Sequence, residues 1–182
     1  MTASNYDAIR EENVGLYGTA IGKYGPKLLG GRYAIRSHFI YELLQNAEDA
    51  MARREAWNGS RSITFRLTDK ELRVSHYGAL FTEADVRSIS SLVLSTKDDS
   101  SIGRFGIGFK SVYAFTDRPE IHSGDVHFAV ESYVYPIAIA AVPASPEETV
   151  FVIPLRDGDT SARQDIEAGL RQLGARTLLF LH

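Results

Sequence analysis

Two short stretches of this chain carry residue types that could bind a metal-bound polyphosphate. Residues 42–50 read Glu-Leu-Leu-Gln-Asn-Ala-Glu-Asp-Ala, and residues 103–111 read Gly-Arg-Phe-Gly-Ile-Gly-Phe-Lys-Ser. The first stretch offers carboxylates and an amide, and the second offers a glycine-rich turn whose backbone N–H groups suit an anion. Together they predict a nucleotide site that uses magnesium, provided that the two stretches meet in space.

The first stretch has helical spacing. Glu42, Asn46 and Asp49 lie at positions i, i+4 and i+7, so about 100° per residue places them within one narrow sector of a helix. An amide oxygen is a hard, neutral ligand for magnesium, and a carboxylate one turn away could deprotonate a water aimed at a phosphoryl group. A solvated helix face is the alternative, and for this stretch alone it is the commoner explanation.

The second stretch is a glycine-rich turn before a helix. Gly103, Gly106 and Gly108 permit positive φ and close backbone approach, although a plain loop-to-helix junction has the same composition. A P-loop is excluded because Phe109 separates Gly108 from Lys110 and because the turn follows a polar loop rather than a buried strand. A dinucleotide fingerprint is excluded as well, because residue 111 is not glycine and no βαβ unit surrounds the turn.

Composition predicts one soluble globular domain. The chain has 182 residues, 44% of them hydrophobic and 24% charged, and its net charge of -3 does not indicate direct nucleic-acid binding. The absence of cysteine excludes disulfides and thiolate nucleophiles and fits a reducing compartment. No signal peptide or membrane span is evident, so a cytoplasmic location is expected. The apolar residues 177–182 lead us to expect an N-terminal piece of a longer protein.

Apolar periodicity and turn residues predict the secondary structure. Helices are predicted at 5–17, 35–54, 82–89 and 109–115 and from Asp159 onward. Residues 93–104 are predicted to form a polar loop. Strands are predicted at 62–67, 72–76, 120–123, 126–131, 133–142 and 149–155. This order favours an α+β fold, a two-layer sandwich of one mostly antiparallel, mixed sheet with helices on one face.

The two motifs in this order resemble those of the GHKL ATPase superfamily, which includes gyrase-type topoisomerases, ninety-kilodalton heat-shock chaperones, MutL-type repair proteins and histidine kinases. The runs 39–50 and 102–113 most resemble the N-terminal ATP-binding domain of sacsin-like proteins, and the resemblance extends from about Tyr6 to the end. It implies a Bergerat fold over residues 1–182, which agrees with the fold class predicted from the pattern of elements.

The resemblance also implies roles for individual residues. Glu42 would be the general base that activates water, Asn46 would bind magnesium, and Thr149 would lie close to the adenine. Asp49 and Ala50 would line the nucleotide pocket. The phosphate-binding turn would consist of Gly103, Phe105, Gly106, Gly108 and Phe109. Residues 93–103 would be a lid, with Lys97 and Arg104 available to the phosphates; for Lys110 the resemblance implies no firm role.

One position departs from the superfamily pattern. There the strand after the helix ends in Asp-x-Gly-x-Gly, and the aspartate accepts a hydrogen bond from the adenine amino group. Residues 75–81 read Ser-His-Tyr-Gly-Ala-Leu-Phe, so His76 replaces the aspartate and Gly78 alone is retained. A neutral histidine can accept one hydrogen bond. Two interpretations stay open: His76 contributes to an altered base site, with Asp49 or a water compensating, or it has no ligand role.

The expected function is magnesium-dependent ATP binding with slow hydrolysis to ADP and phosphate, weak in the isolated domain because an essential basic residue often comes from the next domain. Such a domain would act as a conformational switch in a larger chaperone-like or defence-type protein, with downstream domains and a nucleotide-dependent homodimer as partners. The alternative is a non-hydrolysing nucleotide-sensing or partner-docking module with altered base specificity. His122 and His127, on separate predicted strands without a carboxylate at metal-ligand spacing, are predicted to be structural.

Overall fold

The computed structural model describes residues 3–24, 36–92 and 108–174. Within those ranges the α-helices include α1 (Ala3–Tyr17), α2 (Phe39–Arg53), α3 (Glu83–Ile89) and α4 (Ala162–Arg171), and 3₁₀ helices span Arg36–His38 and Phe109–Ala114. Residues 21–24 are helical as well. The strands are β1 (Ile63–Leu67), β2 (Glu71–His76), β3 (Glu120–Ser123), β4 (Val126–Glu131), β5 (Tyr135–Ala138) and β6 (Thr149–Pro154).

The six strands form one sheet in the order β1-β2-β6-β3-β4-β5, and each of these pairings is antiparallel. Three pairs are neighbours in sequence, whereas β6 returns from the end of the chain to lie between β2 and β3. This insertion places Thr149 opposite His76 on one side and opposite Ser123 on the other. The ends of three strands therefore meet beside α2.

One face of the sheet carries the hydrophobic core. Alternate residues along the strands, such as Leu72, Val74 and Phe128, are buried in the same cluster as Phe39 and Leu43 of α2. The core also includes Tyr6 of α1, whose ring lies 5.5 Å from that of Phe128, and Ile166 of α4. The predicted α+β two-layer architecture is confirmed. None of the helices in the described part of the chain is long and apolar enough to cross a membrane.

The turn chemistry explains two of the element boundaries. The Thr82 hydroxyl accepts a hydrogen bond from the Asp85 backbone N–H, and the Asp85 carboxylate accepts one from the Thr82 backbone N–H at 2.8 Å, which is a capping box at the start of α3. Gly124, with φ of +55°, closes the β3–β4 hairpin in a backbone conformation that favours glycine. Both signals are visible in the sequence.

Three predicted boundaries are wrong. The strand predicted at 133–142 is shortened to Tyr135–Ala138, because Ser132 and Tyr133 adopt positive φ in the turn before it and the chain leaves the sheet after Ala138. The last helix begins at Ala162, not at Asp159, whose carboxylate instead pairs with Arg36. The helix predicted at 35–54 begins as the 3₁₀ turn Arg36–His38. The predicted loop at 93–104 lies outside the described residues.

Candidate nucleotide site

The two motifs adjoin at Glu42 and Gly108. A Cβ atom built on Gly108 would overlap Oε2 of Glu42 and would lie 2.7 Å from its Cδ atom. The other carboxylate oxygen, Oε1, lies 3.1 Å from Nε2 of His38 one helical turn earlier, and the Glu42 side chain is 26% exposed. Glu42 is therefore held between a histidine that directly precedes its helix and the backbone of the glycine-rich turn, with partial access to solvent.

Asn46, one turn beyond Glu42, is a buried amide with an unused hydrogen-bonding atom. The residue is 3% exposed, and among the described residues its Nδ2 atom has no hydrogen-bond partner. A 180° rotation of the amide exchanges its nitrogen and oxygen, so either atom can occupy this unpaired position. Because an unsatisfied buried polar atom costs about 1–3 kcal/mol, this position is suited to a polar ligand or a cation.

The next turn of α2 packs tightly on the chain that follows β2. The carbonyl of Ala50 accepts a hydrogen bond of 2.8 Å from the Ala79 N–H, and a Cβ atom on Gly78 would lie 2.6 Å from the Ala50 carbonyl carbon. Asp49 is half-buried on the same helix. The structure therefore brings Ala50 against Gly78, with Asp49 adjacent on the same helix. Position 78 requires glycine because no space is left for a side chain, not because of its dihedral angles.

His76 lies at the end of β2 with its ring inside the protein. It is 1% exposed, and its Nδ1 atom accepts a hydrogen bond of 3.0 Å from the Gly78 N–H. Burial, and then the positive charge of Arg53, lowers the pKa of His76 to about 4, so the ring is neutral at pH 7. Since Nδ1 accepts, the ring proton lies on Nε2. His76 therefore offers a donor where the superfamily aspartate offers an acceptor.

Thr149 lies beside His76 in the register of the sheet and is fully buried. Its hydroxyl is 2.6 Å from the hydroxyl of Ser123 on β3, and Ser123 Oγ accepts a hydrogen bond of 3.0 Å from the Phe81 N–H. His76, Thr149 and Ser123 thus form a polar row across three adjacent strands on the face that bears the helices. Ser123 was not predicted from the sequence, since its part in the row depends on the position of β6.

The glycine-rich turn is described only at its end. Gly108 has φ of −59° and ψ of −45°, which is an ordinary helical conformation, so its need for glycine comes from the closeness of Glu42. The Phe109 side chain is buried in the core, 5.9 Å from the ring of Phe151, which leaves only its backbone for an anion. Lys97, Gly103, Arg104, Phe105 and Gly106 lie outside the described residues.

Lys110 points away from Glu42 and into the protein. Its Nζ atom donates hydrogen bonds to the carbonyls of Ile89, at 2.5 Å, and Tyr133, and the residue is 1% exposed. The neighbouring carbonyls of Ser90 and Val134 accept hydrogen bonds from the amide of Asn13 on α1. Burial lowers the pKa of Lys110 to about 7. Lys110 therefore joins α3 to the β4–β5 turn.

Two further residues support the site without having been predicted to do so. His38 lies 3.1 Å from Glu42, and the i, i+4 spacing of the two residues is a signal that is visible in the sequence. Arg54, at the end of α2, donates hydrogen bonds of 3.0 Å to the carbonyls of Tyr77 and Glu147 and lies over the ring of Trp57. Arg54 thereby fixes the chain that carries Gly78.

Comparisons with known proteins agree with this arrangement. The model of the family described as "Sacsin domain" matches residues 29–132. The chain is 30% identical over 176 residues to protein NO VEIN of Arabidopsis thaliana, 37% identical over 105 residues to sacsin of Homo sapiens, and 28% identical over 133 residues to the chaperone protein HtpG of Aliarcobacter butzleri. These matches cover 82%, 52% and 58% of this chain but only 6%, 2% and 21% of the respective relatives.

The fold and the site together define the class of the protein. A sheet with helices on one face, and a Glu–Asn–Asp helix that meets a glycine-rich turn, is the arrangement of the chaperone-like ATPase domains of the GHKL superfamily, which have the Bergerat fold. Within that class, the chain belongs to the sacsin domain family, whose model covers more than half of it.

Proposed function

We propose that this domain binds magnesium-ATP, hydrolyses it slowly to ADP and phosphate, and acts as a conformational switch in a larger chaperone-like or defence-type protein. The observation that carries the proposal is the approach of Glu42 to Gly108, because it joins a potential base to the turn expected to hold phosphates. The similarity to sacsin and to HtpG chaperones supports the same assignment.

Asn46 and Glu42 have properties that fit a metal–nucleotide complex. The Asn46 Nδ2 position lacks a partner among the described residues, and the amide oxygen, which a 180° rotation would place there, is the kind of ligand that magnesium accepts alongside water and phosphate oxygens. When bound, magnesium supplies neutralisation of phosphate charge. Glu42 accepts the proton of the attacking water, and His38 orients the carboxylate by holding its second oxygen.

The remaining residues provide recognition. Asp49, Ala50, His76, Gly78 and Thr149 contact the nucleoside in this proposal, since they lie along α2 and the strand ends beside it. The phosphates contact the backbone of Gly103, Phe105, Gly106, Gly108 and Phe109, with Lys97 and Arg104 supplying charge. Because nucleotide binds the closed conformation more tightly than the open one, binding shifts the population toward the closed conformation. In this proposal the closed conformation associates with downstream domains or with a second copy of the chain.

Calorimetry with ATP, GTP and ADP, each with and without magnesium, tests this proposal. Asn46→Ala should abolish magnesium-dependent binding, whereas Gln45→Ala, which removes an exposed amide one residue away, should leave it unchanged. Glu42→Ala should retain binding and lose turnover in a single-turnover phosphate-release assay. Binding by Asn46→Ala equal to that of the parent would refute the metal assignment, and equal turnover by Glu42→Ala would refute the catalytic one.

A non-hydrolysing nucleotide sensor is the second candidate. This candidate is favoured by the departure at His76. The one acceptor nitrogen of its neutral ring, Nδ1, already receives the Gly78 N–H, so His76 has no free acceptor to replace the aspartate of the superfamily pattern. In that case the parent and Glu42→Ala bind nucleotide alike, neither turns it over, and GTP competes with ATP on nearly equal terms.

A further inference from the structure

Two histidines lie opposite each other on the face of the sheet that is turned away from the nucleotide site. His122 of β3 and His127 of β4 are register partners, and their neighbours Ile121 and Phe128 point into the core. Because side chains alternate along a strand, both imidazoles lie on the other face. Their Nδ1 atoms are 3.3 Å apart.

This separation matches a shared metal ion. Two imidazole nitrogens, each about 2.0–2.1 Å from a tetrahedral zinc ion, are separated by about 3.3–3.4 Å. An Nδ1–H···Nδ1 hydrogen bond would also fit the distance, so the geometry leaves two explanations that an experiment can separate.

The surroundings of His122 favour the metal. His122 is 2% exposed, and its buried Nε2 atom has no hydrogen-bond partner within the part of the chain that the structure describes. The Oε2 atom of Glu120 lies 3.8 Å from Nε2, so a small movement of this carboxylate would give a metal-bound imidazole the acceptor that such ligands usually have.

The pair is also accessible to an ion. Both histidines line a surface cleft of about 200 Å³, together with Ser123, Gly124, Glu148 and residues of the segment 141–146. Within the described ranges no third His, Asp or Glu is placed to complete a protein-only metal site, so water would fill the other positions. Imidazole pairs of this kind suit zinc, copper and nickel rather than magnesium.

We propose that His122 and His127 bind one divalent transition-metal ion of the zinc type through their Nδ1 atoms, at a site separate from the nucleotide site and facing the opposite side of the sheet. The ion cross-links β3 and β4, and Glu120 positions the His122 ring. This inference does not depend on ATP binding or hydrolysis.

Zinc titration of the chelator-treated 182-residue chain, without nucleotide, tests the proposal. Calorimetry should give one zinc ion per chain, and His127→Gln should weaken its affinity by about tenfold or more. His38→Gln is the matched control, because His38 and Glu42 form another histidine-containing pair with atoms close enough to share an ion. Binding that His127→Gln leaves intact, binding that His38→Gln removes, or an absence of saturable binding would overturn the proposal.

Imidazole ¹⁵N chemical shifts provide the second measurement, since they need only the folded parent chain. Zinc should shift the Nδ1 resonances of both His122 and His127 and leave that of His76, whose Nδ1 accepts from Gly78, in place. Unshifted Nδ1 resonances at saturating zinc would show that the pair is held by a hydrogen bond alone, which contradicts the proposal.

Discussion

Oε2 of Glu42 faces Gly108 so closely that no side-chain atom fits between them. Residue 42 lies in the first turn of α2 and residue 108 at the start of a 3₁₀ turn, so this contact joins the two motifs that are recognised separately in the sequence. Since Gly108 has helical dihedral angles, its missing side chain, and not its conformational freedom, is what the contact requires.

Gly108→Ala should therefore displace the Glu42 carboxylate. The new Cβ atom overlaps the end of a flexible side chain rather than backbone, so we expect a loss of only about 1 kcal/mol of unfolding free energy. In a Glu42→Ala background the overlapping atoms are gone, and the same glycine substitution should cost less, with a coupling of roughly 0.5 kcal/mol or more. Urea unfolding of the four proteins measures this cycle.

Gly15→Ala is the control for that cycle. Gly15 is exposed within α1, and a Cβ atom there would meet nothing within 4 Å, so alanine should stabilise the helix by up to about 1 kcal/mol in either background. Strict additivity of Gly108→Ala and Glu42→Ala would contradict the contact.

Gly78→Ala should be far more damaging than Gly108→Ala. A Cβ atom on Gly78 would lie 2.6 Å from the Ala50 carbonyl carbon and 2.7 Å from the Met51 nitrogen, both of them backbone atoms that cannot rotate away. We expect a loss of roughly 2–3 kcal/mol, visible as a lower thermal midpoint, because α2 and the chain after β2 must separate. A thermal midpoint equal to that of Gly15→Ala would show that this packing is absent.

Local sequence signals predicted most of the helices and strands but not which strands pair with each other in the sheet. Thr82 and Asp85 mark the start of α3, and Gly124 marks a hairpin, because each acts within a few residues. Nothing local shows that β6 lies between β2 and β3, and the row formed by His76, Thr149 and Ser123 depends on that placement.

The sequence also could not predict the surroundings of individual side chains where these depend on contacts between distant parts of the chain. The direction of Lys110 is set by the carbonyls of Ile89 and Tyr133, which are distant in sequence. The pairing of His122 with His127 follows from the β3–β4 register, which makes neighbours of two histidines that the sequence alone marks as structural. The His38–Glu42 contact is different, because its helical spacing is readable.

His76→Asp should restore preference for adenine. The neutral His76 ring offers a donor at Nε2, so the parent should discriminate weakly between ATP and GTP. An aspartate can accept the Gly78 N–H with one oxygen and an adenine amino group with the other, a charge-assisted bond that should raise the ATP-to-GTP affinity ratio by about tenfold or more. Competition calorimetry measures the ratio. His76→Asn, a neutral acceptor, should give an intermediate value, and an unchanged ratio in both variants would exclude His76 from the base site.

The buried Lys110 should make folding stability depend on pH above neutrality. Burial holds its pKa at about 7 in the folded chain, below the ordinary value of 10.5, so the unfolded chain binds more protons between these limits. The contribution of Lys110 to the free energy of unfolding is therefore smallest below pH 7 and increases as pH rises toward 10.5. Relative to Lys110→Met, the parent should gain about 2 kcal/mol of unfolding free energy between about pH 7 and pH 9, as urea unfolding can measure. Lys70→Met, at an exposed turn, is the control for loss of a lysine. A parent-to-Lys110→Met difference that stays constant across this range would mean that Lys110 is not held in a desolvated position.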